Sequence, residues 1–520
     1  MEKADKIISY TAIAYIVFPI MIFLFGWTRP VIAILISMVL LYLGYRLGRE
    51  MTCETEISIT VNRKFWLVAL GVIALWVLFS GIGDFSFQTG DFIIRNPMFH
   101  DLKYYRWPVI YDLSKEPQLV KKFTGNAQNA LYVYYFTWWL PASLFARILN
   151  FLGTSVTRIE VYTNIALYMW TVIGLFLTFY FMVRYLKRYS YWILSSLILF
   201  GGFDFVVYLI SNMRMPLNEH IEWWAGGPCM YFQYSANTTQ LYWVFNQSVP
   251  IWLVVAVLLV AENPKQKLGW ASLSIAYSPY ATIGIIPIAI YATLKSKVNL
   301  NDSSLRSIYH LNRVKNAVSI ENTVVPLLLA FTYVSFFALK LNAGTSRGGF
   351  IFSVYPEFRT FTLYIAFIVV EFFIYFLVMG KKGITYEFYW VTLIELIVIP
   401  LFRAGMNNDF TMRTSIPALF ILMFLCLRFL LDSKTEGHIK QYKTTAICLC
   451  IGYLVSCTEI QRNMNMTLML PQRDYIYRDV YSFGTMYTEN ENQIMINLNQ
   501  YMSLDDQYKD SFFYKYIMKK

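Results

Sequence analysis

The chain has 520 residues, of which 57% are hydrophobic, 18% aromatic and only 15% charged. A soluble domain carries roughly 25% charge, so this composition excludes an ordinary water-soluble enzyme, a disordered chain and a collagen-like fibre. The formal net charge is +12. Its Lys and Arg fall mostly between apolar runs, where positive-inside loops account for them better than nucleic-acid binding does. No zinc-finger, P-loop or dinucleotide fingerprint is present. The six cysteines, Cys53, Cys229, Cys426, Cys448, Cys450 and Cys457, sit mostly in or beside apolar runs. They form no paired set that would bind zinc.

Runs of about 20 apolar residues define an all-α, polytopic integral membrane protein with about 12 or 13 spans. The expected spans are 8–26, 31–47, 65–81, 162–183, 191–210, 248–261, 270–294, 323–341, 359–380, 387–402, 414–430 and 444–459. The first run has no small-residue cleavage pattern after it and reads as a retained helix. Lys3 and Lys6 predict a cytoplasmic N-terminus. Arg46, Arg49, Arg63 and Lys64 then place the second connection inside. The cluster Arg184, Lys187 and Arg188 keeps the same frame, as do Lys265, Lys267, Lys381, Lys382 and the stretches from Lys295 to Lys315 and Lys434 to Lys443.

Two segments depart from simple alternation. Residues 131–150, LYVYYFTWWLPASLFARILN, predict an interfacial or re-entrant helix, since their aromatics and Pro141 suit a membrane border. Residues 270–294 start and end beside basic clusters and contain Pro279 and Pro287, which predicts a broken hairpin or one kinked helix. Residues 1–459 thus form a membrane domain with polar segments 82–130, 211–247, 342–358 and 403–413 on one outer side. Residues 460–520 form a short tail on that side.

The first polar segment, GIGDFSFQTGDFIIRNPMFHDLKYYRWPVIYD, carries Asp84 and Asp91 as candidate catalytic acids. A carboxylate at the end of a membrane helix can hold a raised pKa and accept a proton from a hydroxyl. Asp84 leads, being nearest the helix end. The second segment carries His220, Glu222 and Trp223, then Tyr231, Gln233, Asn237, Asn246 and Gln247. Amides can bond sugar hydroxyls while flat rings stack on C–H faces. His220 and Glu222 could bind an acceptor or a divalent cation such as magnesium or manganese, though their spacing matches no zinc signature. The third cluster is Arg403, Asn407, Asn408, Asp409 and Arg413 in FRAGMNNDFTMRTSIP. Two arginines can clamp a phosphate, and Asp409 could orient Arg413. Arg347, Arg359, Arg462 and Arg473 are weaker phosphate candidates.

With these segments in place the chain resembles the polytopic GT-C glycosyltransferases. GIGDFSFQTGD is similar to their early acidic loop, YVYYFTWWLPASLFARILNFLG looks like their outer juxtamembrane helix, and SPYATIGIIP looks like their broken central segment. The resemblance covers the arrangement of the first 300 residues. It implies a polyprenyl-phosphate sugar donor, a saccharide or glycolipid acceptor, and membrane lipids as partners, with no nucleic acid. It also implies Asp84, with Asp91 second, as general base, Arg413 and Arg403 on the donor phosphate, and inversion at the sugar carbon. The family's usual adjacent acidic pair is missing at Asp84, and two spans precede the outer loop's own span. Two other classes fit the composition: a transporter, flippase or polymerase of lipid-linked saccharides, and a non-enzymatic membrane scaffold or sensor.

Overall fold

A bilayer offers no water to an unpaired peptide group, so each apolar run must close its own hydrogen bonds, and the α-helix does so within one segment. The computed structural model describes residues 2–53, 62–114, 124–225, 232–295, 317–340, 348–405, 409–469 and 501–520. In chain order the helices are α1 (Glu2–Trp27), α2 (Pro30–Cys53), α3 (Arg63–Leu78), α4 (Phe92–Tyr104), α5 (Leu140–Phe151), α6 (Val156–Leu186), α7 (Tyr191–Leu199), α8 (Asp204–Asn212), α9 (Asn237–Val260), α10 (Pro264–Ser272), α11 (Pro279–Leu294), α12 (Ile320–Phe337), α13 (Phe358–Gly383), α14 (Tyr389–Val398), α15 (Asp409–Thr414), α16 (Ile416–Thr435) and α17 (Ile439–Leu468).

Among the described residues, eight helices are long and apolar enough to cross a membrane: α1, α2, α6, α9, α12, α13, α16 and α17. The pair α7–α8, bent by 53°, makes a ninth if it counts as one span. The expected 12 or 13 spans are therefore too many. Every expected span contains helix, but 191–210 and 270–294 are broken, α3 and α11 have only 16 residues each, and the apolar helix from Tyr389 to Leu401 is also short. Mean hydropathy reports apolar content, whereas spanning needs uninterrupted length. Two boundaries also move. Residues 237–247 are not loop but the first turns of α9, and the tail begins after α17 rather than at residue 460.

Neither irregular segment is one continuous helix. Residues 131–150 form the end of a strand, a single tight turn and the 12-residue α5, which packs on α4, α1 and α6. In 270–294 the chain breaks at Ser278, whose hydroxyl accepts from Ala281 N and caps α11. The start of this hairpin lies near α12, where Ser319 donates to the Lys265 carbonyl. Its far end lies by the start of α14, where Tyr291 packs edge-on against Phe388.

α9 and α16 form the axis of the molecule, each 89% buried over its most apolar stretch, whereas α13 is only 33% buried and faces outward. Trp252 of α9 stacks between Trp76 and Phe420. One end of the bundle is tied by charged groups. Tyr180 bonds Asp5 at 2.6 Å, Arg184 reaches the Met51 carbonyl at 2.5 Å, Arg46 meets Glu321 at 3.5 Å and Arg188 meets Asp432 at 3.1 Å. The opposite end carries a small sheet in the order β1 (Ile110–Asp112), β2 (Asn129–Tyr132), β5 (Met502–Leu504), all antiparallel. A second ribbon pairs β3 (Gly349–Phe350) with β4 (Phe402–Arg403). The last residues return to the end of α1, where Arg29 donates to the Lys515 carbonyl at 2.6 Å and Thr28 pairs with Met518.

This separation of ends is measurable. Single cysteines in place of exposed Lys187 and Lys381 should react with a membrane-impermeant maleimide from one side of sealed vesicles. Cysteines in place of exposed Asp112 and Asn126 should react only from the other. Labelling of all four from the same side would overturn the arrangement.

Candidate active site at the sheet-bearing end

The site grows from a defect in α9. Val244 has non-helical angles (φ −137°, ψ 36°), and Pro250 further along has no N–H to give the Asn246 carbonyl. The break leaves the Tyr242 and Trp243 carbonyls open to other partners. Thr89 donates to the first at 3.3 Å, and Arg95 of α4 donates to the second. Arg95 also bonds Asp91 one turn earlier at 2.7 Å and lies 5.0 Å from the Phe245 ring centre. Its side chain is 5% exposed, and its Nη1 has no partner. α4 therefore presents an acid and a guanidinium on one face, four residues apart.

Three further elements meet this pair. After β2 the chain sets Tyr134 against Tyr135, their rings tilted by 30° with centres 3.8 Å apart. Tyr501, just before β5, accepts Val133 N at its carbonyl and sets its ring edge-on to Tyr134 at 5.1 Å. α15 supplies Asp409 and Arg413 on successive turns, bonded at 3.1 Å. Arg413 lies 5.9 Å from the Tyr135 ring centre and its buried Nε has no partner. Tyr280, at the tip of the broken hairpin, packs edge-on against Phe410.

The groups act on one another electrically. Burial works against the charge of Arg413, but Asp409, the phenols of Tyr135 and Tyr134, and Asp91 outweigh it and hold the guanidinium firmly protonated. Burial pushes the Tyr134 phenol up, while Arg413 and Arg95 partly offset it. Burial likewise raises Tyr135 and Tyr501. The result is a cluster of neutral phenols, two acids and two guanidiniums, each guanidinium with an unused N–H.

A second polar group adjoins the first through Trp243. Its indole donates to Glu459 of α17 at 2.8 Å, and Glu459 also takes Arg462 at 2.9 Å and meets His220 at 3.2 Å. His220 lies 3.9 Å from Glu222. Glu222 accepts from Ala236 N at 2.9 Å and from Gln233 at 3.0 Å. Burial raises Glu222 to about 7, with His220 opposing it. Burial alone would lower His220, but the bond to Glu459 outweighs it and raises the imidazole above its usual value.

The sequence-derived residues divide accordingly. Asp91, Asp409 and Arg413 come together. Asp84 occupies a turn with φ 62° beside α6, where Phe85 packs edge-on against Tyr168. Arg403 belongs to the ribbon and bonds and stacks on Tyr355. His220, Glu222 and Gln233 form the second group, with Trp223 at its edge, 6.3 Å from Trp243. Asn246 bonds the Tyr135 carbonyl at 3.5 Å and keeps its own oxygen free. Asn237 instead ties α9 to α7 through the carbonyls of Ser196 and Leu197. Tyr231, Arg347, Asn407, Asn408 and Arg473 lie outside the described residues.

Sequence reading missed Arg95, Tyr134, Tyr135 and Tyr501 as site groups, and it passed over Glu459. A carboxylate inside an apolar helix is itself a signal, and Glu459 carried it. Among the described residues, no group of three or more His, Cys, Asp or Glu is placed to hold a metal ion. No family model, no curated protein and no solved structure matches this chain.

The His220–Glu459 contact has a defined pH signature. His220 is raised in the folded state, so the stability it contributes is fully present below its unfolded value and is lost as pH rises through its folded value. The thermal midpoint of Glu459→Gln should therefore fall furthest below that of the unaltered protein in mild acid. The gap should narrow towards alkaline pH. A gap that does not change with pH would remove this role for the imidazole.

Proposed function

We propose that the protein is a membrane glycosyltransferase that moves a sugar from a polyprenyl-phosphate donor to an acceptor hydroxyl. On this reading it works at the outer face of a cytoplasmic membrane, in cell-envelope polysaccharide or glycolipid assembly. The observation that carries the reading is the pair of buried guanidiniums at the sheet-bearing end, Arg95 bonded to Asp91 and Arg413 bonded to Asp409, each with an unused N–H. A lipid-linked sugar needs positive charge for its phosphate, a base for its acceptor, and a border where the isoprenoid stays in the bilayer.

In this mechanism Asp91 takes the proton of the acceptor hydroxyl. The oxygen attacks the anomeric carbon, and the bond from that carbon to the phosphate oxygen breaks. The electron pair leaves with the phosphate, whose new charge is met by the free N–H groups of Arg413 and Arg95. The anomeric centre inverts in one step. Phosphate departs without a second acid, unlike the leaving group of a glycoside hydrolase. Tyr134, Tyr135 and Tyr501 remain neutral and offer O–H donors and ring faces to the sugar. Asp91 replaces Asp84 as the leading base, because it is the acid that lies with the arginines. Arg95 takes the place first expected for Arg403.

A transporter or flippase of lipid-linked saccharides is the second reading. It is favoured by Asp204 and Glu371, buried acids well inside the helical bundle, where transporters place their polar groups.

Transfer from a radiolabelled polyprenyl-phosphate sugar separates the two. Asp91→Asn should lose about 10²- to 10⁴-fold in rate and Arg413→Gln about 10²-fold or more, while Asp84→Asn stays within a few fold. Full transfer by Asp91→Asn would overturn the base assignment. Movement of the intact lipid-linked sugar across vesicles without transfer would favour the second reading.

A further inference from the structure

Deeper than the candidate site, two acids meet away from any water-facing surface. Asp204 opens α8 just after the bend that separates it from α7, and it is fully buried. Glu371 lies in a π-helical turn, Val369–Phe373, in the middle of α13, and is 3% exposed. π-turns inside membrane helices recur at functional positions because they aim one side chain off the regular spiral. Gly202 makes room for the meeting, since a Cβ there would strike Glu371 Oε2 and come within 3.3 Å of Asp204 Oδ2. The bend is held open by Tyr375, which donates to the Gly201 carbonyl at 2.9 Å.

The partners of this pair are unequal. Trp224 donates its indole N–H to Asp204 Oδ1 at 2.8 Å and to Glu371 Oε1 at 3.3 Å. The other two oxygens, Asp204 Oδ2 and Glu371 Oε2, are buried and receive no donor from the protein. The single indole N–H shared by both acids sets the two carboxyls side by side, and both orphan oxygens face the Cβ position of Gly202. Carboxylates have no hydrogen to give each other, so only a bound proton can join them. The groups facing the pair do not supply a fixed positive charge. They are His220 and Glu222 from the loop, Tyr234 ahead of α9, and Tyr375 on α13. Arg462 of α17 is bonded to Glu459.

We infer that Asp204 and Glu371 form a proton-binding site in the membrane interior, with one proton shared between the two carboxyls. This proton latches α8 to the π-turn of α13 and, through Trp224, holds down the loop that carries His220, Glu222 and Trp223. When the proton leaves, two negative charges stand side by side in a medium that cannot screen them, and Trp224 cannot bridge both. The loop is then released from the α17 and α9 surface that leads to Trp243. The proton's way out is along Glu222 and His220 to the exposed edge at Trp223. This inference does not depend on sugar transfer.

Infrared spectra of the purified protein in lipid nanodiscs test it. At neutral pH the unaltered protein should show a deuterium-sensitive C=O band of a protonated carboxylic acid. The double variant Asp204→Asn, Glu371→Gln should lose the share of that band belonging to one carboxyl per chain. Gly202→Ala, which keeps both acids but displaces Glu371, should shift it. Hydrogen exchange within 219–225 should rise at alkaline pH in the unaltered protein and stay flat in the double variant. Absence of the band in the unaltered protein overturns the shared proton without recourse to any variant. An unchanged band in the double variant overturns its assignment to this pair. Loop exchange that ignores pH in the unaltered protein overturns the latch.

Discussion

The break in α9 is the constraint on which the rest of this structure depends. An axial helix buried on all sides has nowhere to put an open carbonyl, and leaving one unpaired costs about 1–3 kcal/mol. Non-helical Val244 exposes two. Thr89, just ahead of α4, and Arg95 within it meet that need. Arg95 is then fixed by a backbone oxygen, and Asp91 is fixed by Arg95. The side chain of the same Trp243 points the other way, to Glu459 on α17. One residue thus joins an interfacial helix, the axis and an outer helix, and the acid of the candidate site is positioned by the flaw in the helix behind it.

The C-terminal strand has the same logic on a larger scale. β5 adds an edge to β2, and Tyr501 enters beside Tyr134 because backbone pairing sets its register. Ser503 also donates to the Leu339 carbonyl at the end of α12 at 3.0 Å. Residues some 370 positions apart therefore meet at the candidate site. A strand held by main-chain bonds places a phenol more firmly than a loop would, since register fixes which side chains face inward.

Much of this was legible in the sequence, and the limits are physical. The apolar runs became helices, because in a bilayer each segment must pair its own backbone groups. Span number was overestimated because Pro279 and the break at Ser278 cut a run that a hydropathy window averages smooth. Asp91, Asp409 and Arg413 were found because charges at the end of an apolar run stand out. Arg95 does not stand out in its loop, since the carbonyl that selects it belongs to a helix 148 positions away. Tyr134, Tyr135 and Tyr501 were hidden by the chain's abundance of tyrosine. Asn237 misled for the opposite reason. An amide in a polar-looking stretch resembles a ligand donor, but it lies inside α9 and spends its hydrogens on α7.

The aromatic load divides by partner rather than by position. Trp27, Trp138, Trp139, Trp252 and Trp270 are fully buried and fill the core. Tyr134, Tyr135 and Tyr501 also pack tightly, but against guanidiniums and carboxylates, where a ring can still turn a hydroxyl or a face towards a guest. Trp224 belongs to neither group. Its one N–H is divided between two acids and sets their carboxyls side by side. A residue that packs, bridges and depends on a proton all at once is suited to a moving part, and it sits on the same short loop as His220 and Glu222. The polar residues of that segment are therefore turned inward, onto helices that carry their own charges. That placement explains why a stretch rich in amides and acids borders the candidate site without lining it.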